Sequence, residues 1–408
     1  MSNAPTPLHI LLIHQAYVSL GEAGGTRHAE MAQHLVEQGH RVTVIASPIS
    51  YLTGRESLPE IDSANAALKV IRAPALRSLH RNFIMRLLNF FSFMISSFFV
   101  GLRVRKVDLI WGTSPPLFQA FSAWLLSIFK RKPFVFEVRD LWPDFAVAIG
   151  VLSSRPLIIA SEWLESFLYK RADQLLVNSP GFVNHVKQHG GQKIAMIPNG
   201  ADPTMFHPED RGDDFCRQNN LQGKFVVLYA GAHGLSNDLE TVLEAAFLLK
   251  KKPKIAIVLL GDGKDKPSLI QKAQELDLFN LHFLPALPKS KMATALSAAD
   301  ACLAVLKNIE LYKTVYPNKV FDYMAAGRPV ILAIDGEIRK VIEKAGAGYF
   351  SPPGDSKEMA AKILAMAENP ALSKKMGMAG RLYLEQHFAR KDLAAQMQLL
   401  LEETAANT

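Results

Sequence analysis

Residues 9–45 read HILLIHQAYVSLGEAGGTRHAEMAQHLVEQGHRVTVI. His9 to Ile13 is an apolar run of strand length. Gly21, Gly24 and Gly25 then break the pattern, and Thr26 stands where a helix cap is wanted. Ala29, Ala32, Leu35 and Val36 fall three and four apart, on one face of the helix that follows. Gly39 ends it, and Val42, Val44 and Ile45 supply the next strand. Strand, helix and strand in this order form one βαβ unit, the building block of a parallel sheet.

The alternation continues outward. Leu109–Trp111, Phe134–Val138, Leu175–Val177 and Ala195–Ile197 read as strands. A polar stretch rich in charge, proline and glycine follows Pro198-Asn199-Gly200, and a second series begins beyond it: Phe225–Tyr229, Ile255–Leu260, Leu281–Leu284, Cys302–Val305 and Val330–Ala333. Each series opens on a strand, a glycine-containing loop (Gly24-Gly25, then Gly231 and Gly234) and a helix. The expected architecture is α/β: two Rossmann-like domains facing each other across a cleft, with ligands at the carboxyl ends of the strands. The expected boundaries are 1–205 for the first domain, 206–223 for a linker, 224–386 for the second domain and 387–408 for a helix that packs back on the first.

Composition agrees with two globular domains: 408 residues, 49% hydrophobic and 21% charged. The two cysteines, Cys216 and Cys302, sit in unrelated contexts, which argues against a disulfide framework and for a cytosolic home. Met1 to Pro7 lacks the basic start and long apolar run of a signal peptide. The net charge is +8, and basic residues gather at Arg77, Arg81 and Arg86, at Arg103, Arg105 and Lys106, and at Lys130, Arg131 and Lys132. Phe-rich apolar segments lie between them, a pattern that suits an anionic membrane surface rather than nucleic acid. The stretch from Phe83 to Gly101 approaches spanning length but contains Arg86, Asn89, Ser92, Ser96 and Ser97. Interfacial binding is the reading adopted, with a buried core helix as the alternative. All four tryptophans, at 111, 124, 142 and 163, lie in the first half, as a membrane interface or an acceptor pocket would want.

Tyr312 to Val330 reads YKTVYPNKVFDYMAAGRPV. This run resembles the signature of family-four retaining glycosyltransferases of the GT-B fold, in which a Pro-Asn or Pro-Ser element precedes a helix carrying an acidic residue. The Gly24-Gly25 loop, the run FEVRDLWPD from Phe136 to Asp144, and Gly261-Asp262-Gly263 agree with it. Together they are similar to bacterial enzymes of surface-polysaccharide synthesis, especially the N-acetylaminosugar transferases. Two departures stand out. The family's pair of glutamates is replaced by Thr314 and Asp322, and its Arg and Lys on the first loop of the second domain are replaced by Ala232 and Asn237.

The resemblance implies a donor site in the second domain. Asn318 is placed to cap the helix from Lys319 to Ala326, and Lys319 with the first-turn amides would meet a diphosphate. Asp322, one turn on, would grip the ribose hydroxyls, or simply pair with Lys319. Gly231, His233 and Gly234 would approach phosphate; Gly261, Asp262 and Gly263, with Pro285 to Lys291, would lie near the base. In the first domain Gly24, Gly25 and Arg27 would meet the diphosphate or the acceptor, unless the glycines form a purely structural turn. Asp140 is the candidate general base or acceptor-orienting group, and Arg139 would bind an acceptor phosphate or pair with Glu137. An ion-pair network beside the site is the alternative for these last residues. No Asp-x-Asp element and no His or Cys cluster of familiar ligand spacing is evident, so a mechanism without metal or other cofactor is expected.

The expected activity is transfer of a sugar from a nucleotide donor, a UDP-sugar first, to a polyprenyl-linked glycan acceptor at the inner face of the cytoplasmic membrane. A sugar-nucleotide epimerase and a non-catalytic subunit of a glycan-assembly complex are the rival readings.

Overall fold

The computed structural model describes residues 7–50, 56, 66–77 and 83–407. Arg81 and the segment before Pro7 lie outside the described residues. The chain divides into two compact units, one of residues 1–198 with 391–408 and one of residues 199–390.

Among the described residues the first unit is built on seven strands: β1 (His9–Ile13), β2 (Arg41–Ala46), β3 (Leu68–Arg72), β4 (Leu109–Thr113), β5 (Phe134–Val138), β6 (Gln174–Val177) and β7 (Ile194–Met196). Their order is β3-β2-β1-β4-β5-β6-β7, and every neighbouring pair is parallel. Ile10 of β1 stands beside Val42 on one side and Leu109 on the other, so the order reverses between β1 and β4. β1, β4 and β5 are buried along their whole length, as parallel strands covered on both faces must be. The helix Arg390–Ala406 lays Leu393, Ala394, Met397 and Leu401 in the core that Ile10, Leu12, Val42 and Val44 share.

The second unit has six parallel strands: β8 (Phe225–Ala230), β9 (Ile255–Leu260), β10 (Leu281–Leu284), β11 (Ala301–Val305), β12 (Val330–Ala333) and β13 (Gly348–Phe350). Their order, β10-β9-β8-β11-β12-β13, reverses between β8 and β11. Alternate residues serve opposite faces. Val226, Leu228 and Ala230 enter one core; Val227 and Tyr229 enter the other.

Residues 206–223, expected to be a linker, belong to the second unit instead. Phe206, Phe215 and Leu221 are buried in its core, and the segment forms the helix Asp213–Gln218. Its polar composition reflects the outer face of a short amphipathic segment. Two strands had no expectation attached, β3 and β13. Both are edge strands, only part-buried, and neither carries a long apolar run.

In the first unit the helix Phe83–Arg103 packs against Leu117–Lys130 through Phe93, Ser97 and Gly101. Ser97 and Ser122 share a hydrogen bond of 2.9 Å, and a Cβ on Gly101 would stand 2.5 Å from Leu126 Cδ1. The small and polar residues therefore face inward. Ile84, Leu88, Phe91, Ile95, Phe99 and Leu102, three or four apart, form an exposed apolar stripe on the other side. By length and composition this helix is able to cross a membrane. Trp111 is fully buried in β4, which removes it from any surface, whereas Trp163 is exposed.

Candidate active site

In the second unit the chain leaves β8 through Gly231, Ala232, His233 and Gly234, and leaves β9 through Gly261, Asp262 and Gly263. The loops interlock. His233 N donates to Asp262 O at 2.8 Å, and Asp265 N donates to His233 O at 3.0 Å. A Cβ on Gly261 would lie 1.8 Å from Gly231 O, and one on Gly263 would lie 2.3 Å from His233 O. The Gly-Asp-Gly element thus has a structural duty: only glycine lets the second loop lie so close under the first. His233 is fully buried, with Tyr229 and Phe283 among its ring neighbours, and neither ring nitrogen has a hydrogen-bond partner. Burial, helped by Lys266, lowers its pKa to about 4, so the ring is neutral with one donor and one acceptor unspent.

Pro317, not Asn318, occupies the capping position of the helix Asn318–Ala325. Asn318 is its first residue and makes no cap; its Oδ1 is buried without a partner. Thr26 also holds a capping position without a capping bond, its hydroxyl donating to Glu30 instead. Lys319, in the first turn, reaches back over β8. Its Nζ donates to the Tyr229 hydroxyl at 2.8 Å and to Asn237 Oδ1 at 3.2 Å. Both partners are neutral, and burial draws its pKa down to about 7. A Cβ on Gly231 would stand 2.9 Å from that nitrogen, so the glycine makes room for the ammonium group. Asp322 pairs with Lys289 rather than with Lys319. Lys289 is buried at the start of the helix Lys289–Ser297, inside the segment expected near the nucleotide. Thr314 donates to Leu311 O at 2.6 Å and closes its own turn.

In the first unit Glu137 is fully buried at the end of β5. It accepts from Arg27 Nε at 2.9 Å, and its other oxygen lies 2.7 Å from His28 Nε2. Arg27 also donates to the carbonyls of Pro198 and Ile197, at 2.7 and 2.8 Å. This corrects the expectation that Arg27 meets a diphosphate: it is buried, and its guanidinium is spent on holding β5 and the end of β7 together. Gly24 and Gly25 lie exposed on the loop before it. Arg139 was expected at Glu137 or at an acceptor phosphate; it donates to His14 Nε2 at 3.0 Å. The His14 ring lies 4.3 Å from that of His28, which leans on Trp111 at 5.2 Å. Burial lowers both histidines, His28 to about 4, so both are neutral. Burial raises Asp140 to about 7 against the pull of Arg139, so this carboxyl changes its charge near neutral pH.

Sequence reasoning missed His14 and His28, which lie 123 and 109 positions before Glu137 and approach it only because β1 and β5 flank β4. It missed Lys289 as the partner of Asp322. It also missed a cluster of Glu165, His185 and His189 in the first unit.

The arrangement matches known proteins. Residues 23–200 match the family described as glycosyl transferase 4-like domain, and residues 211–383 match glycosyl transferases group 1. WcaI of Escherichia coli (strain K12), named for a glycosyl transferase of colanic acid biosynthesis, is 27% identical over 326 residues, covering 76% of this chain and 79% of its own. Sucrose-phosphate synthase from Thermosynechococcus elongatus has the same fold, with a TM-score of 0.78 at 19% identity over 98% of this chain and 100% of that one. So does HepE of Anabaena, solved in complex with UDP-glucose, with a TM-score of 0.74 at 16% identity over 97% and 100%. With two parallel-sheet α/β units of the GT-B fold, and with matches to a glycosyl transferase 4-like domain in the first and to glycosyl transferases group 1 in the second, the chain is a glycosyltransferase.

Proposed function

We propose that the protein transfers a sugar, with retention of configuration, from a UDP-sugar bound by the second unit to a hydroxyl of a polyprenyl-linked or other glycan acceptor bound by the first. The carrying observation is Lys319, a cation held among neutral groups beside the interlocked glycine loops, where β8 and β11 part. A diphosphate there would supply the missing counter-charge, and the first-turn amides and His233 would add donors. Asp322 would hold the ribose hydroxyls, exchanging or sharing Lys289. The UDP-glucose complex of HepE supports the class of donor, and the name of WcaI supports a role in surface-polysaccharide synthesis.

In the transfer the bond from C1 to the β-phosphate oxygen breaks and a bond from C1 to the acceptor oxygen forms on the same face. The leaving diphosphate keeps the electron pair and takes the acceptor proton. Lys319 stabilises the charge that grows on it. Asp140, as carboxylate, orients the acceptor hydroxyl. The exposed stripe from Ile84 to Leu102, bordered by Arg103, Arg105 and Lys106, supports docking on the inner face of the cytoplasmic membrane.

Titration with uridine and UDP tests the donor site. Lys319→Ala should weaken UDP by about 10–100-fold and leave uridine nearly unchanged. Asp322→Asn should weaken both. Equal affinities in all three proteins would refute the assignment.

A further inference from the structure

In the first unit the helix Arg155–Arg171, the helix Phe182–Gln188 and His189, which follows the latter, bring together side chains that the transfer does not use. Glu165, His185 and His189 each offer one ligand atom, and these atoms lie within 4.8 Å of one another. His185 and His189 are four residues apart, so they share a face, and their ring centres are 4.1 Å apart.

The surroundings of these groups point to a ligand. Glu165 is fully buried. Its Oε1 accepts from the Tyr169 hydroxyl at 2.8 Å and lies 2.9 Å from His185 Nε2, yet its Oε2 is buried with no partner at all. A buried carboxylate oxygen left in that state is costly. The outward nitrogens are arranged as metal-binding imidazoles require. His189 Nδ1 lies 2.9 Å from the carbonyl oxygen of His185, which fixes its proton there and leaves the lone pair on Nε2. His185 Nδ1 lies 3.6 Å from Asp144 Oδ2, a carboxylate behind the ring. The carbonyl hydrogen-bonded behind one imidazole is the kind of outer partner that orients such ligands, and the carboxylate behind the other adds a favourable charge contact.

We infer that Glu165, His185 and His189 form a three-ligand site for a divalent cation of the Zn2+ type, with Asp144 as a charge contact behind His185. Two imidazole nitrogens and one carboxylate oxygen select this class over Ca2+ or Mg2+, which favour all-oxygen shells. Three protein ligands leave a fourth position for water. On binding, the cation replaces the proton that His185 Nε2 shares with Glu165. The ring keeps its Nδ1 proton toward Asp144, and any second proton leaves to solvent. Glu165 supplies Oε2 and retains the Tyr169 hydrogen bond on Oε1. Asp144 begins the short helix Asp144–Ala148, four residues after Asp140. The ion would therefore pin the segment that follows β5 to two helices. The inference stands whether or not the donor and acceptor assignments hold.

Cobalt titration of the chelator-stripped, full-length protein tests it. One Co2+ per chain should bind, with the visible absorption bands of a tetrahedral site, and raise the melting temperature; Zn2+ should displace it. His189→Ala, at the partly exposed edge of the cluster, should keep the metal-free melting temperature and lose at least about 10-fold in Co2+ affinity. Asp144→Asn should lose about 10-fold through the lost charge contact alone, and Glu165→Gln should abolish the bands. Should Glu165→Gln fail to fold, His189→Ala decides the matter. Absence of the bands in the wild type, equal affinity in His189→Ala, or displacement of Co2+ by millimolar Mg2+ would each reduce the cluster to a hydrogen-bond network.

Discussion

Lys319 donates to the Tyr229 hydroxyl over 2.8 Å and lies 4.1 Å from the centre of the same ring. That hydroxyl gives its own proton to Ala232 O at 2.7 Å, so it presents lone pairs to the ammonium group. Neutral dipoles replace water only in part, and burial brings the lysine to about 7. A bound diphosphate favours the charged form and raises that value. Above pH 7 the free lysine is mostly neutral, so binding UDP takes up a proton, and affinity declines as pH climbs through 7 toward the raised value of the complex. Calorimetric titration at pH 8 in buffers of different ionisation enthalpy should show uptake approaching one proton for UDP and none for uridine. A UDP enthalpy independent of buffer would contradict this coupling.

Glu137 is tied to Arg27 and His28 with no access to solvent. Burial by itself would raise its pKa, but His28 and Arg27 hold it well below the usual carboxylate range. A carboxyl depressed in the native state contributes stability above its unfolded value and loses it as pH falls toward the native value. Glu137→Gln should therefore destabilise the protein by about 3–5 kcal/mol at pH 7, because it leaves a buried guanidinium without the carboxylate charge beside it. The gap between variant and wild type should narrow as pH falls below about 4.5, the ordinary value for a glutamate. Denaturant unfolding at pH 7 and pH 4 measures both. A variant as stable as the wild type at pH 7 would show that the buried Arg27 does not depend on the Glu137 charge.

The fold was legible where burial on both faces writes strands as unbroken apolar runs, as in HILLI of β1 or IAIVLL of β9. β3, LKVIR, and β13, GYF, were not, because an edge needs no such run. Lys319 and Asp322 were legible as neighbours on one helix. Their partners were not: Tyr229 lies 90 positions from Lys319, and Lys289 lies 33 from Asp322. Local spacing also placed Arg27 after two loop glycines, where a cation suits an anion. It could not show that β5 would bring Glu137 beneath it. Only the sheet order β1-β4-β5 supplies that contact.

The exposed stripe of the helix Phe83–Arg103 gives the membrane proposal a specific test. Ile95 and Phe99 are more than half exposed, so a charge there costs the fold little. Ile95→Glu with Phe99→Glu should abolish cosedimentation with vesicles containing anionic lipid and leave UDP affinity unchanged. Wild-type binding should weaken with added salt through screening of Arg103, Arg105 and Lys106. Wild-type protein that fails to sediment even at low salt would overturn the proposal.

Asp140 separates the chemical step from donor binding. It follows β5 in the first unit, whereas Lys319, Asp322 and the glycine loops belong to the second. Burial raises its carboxyl to about 7, and Arg139 alongside pulls the other way. As the group that orients the acceptor hydroxyl it must be ionised, so turnover should rise with pH through about 7 and then level off. Asp140→Asn keeps the shape, removes the charge, and should lower turnover by about 100-fold or more. It should also flatten the rising limb of the pH profile, which a merely structural carboxylate would not produce. UDP affinity should stay within about twofold of wild type. A variant that loses UDP binding with its fold intact would assign Asp140 to the donor. One that retains the rising limb would assign the titration to another group.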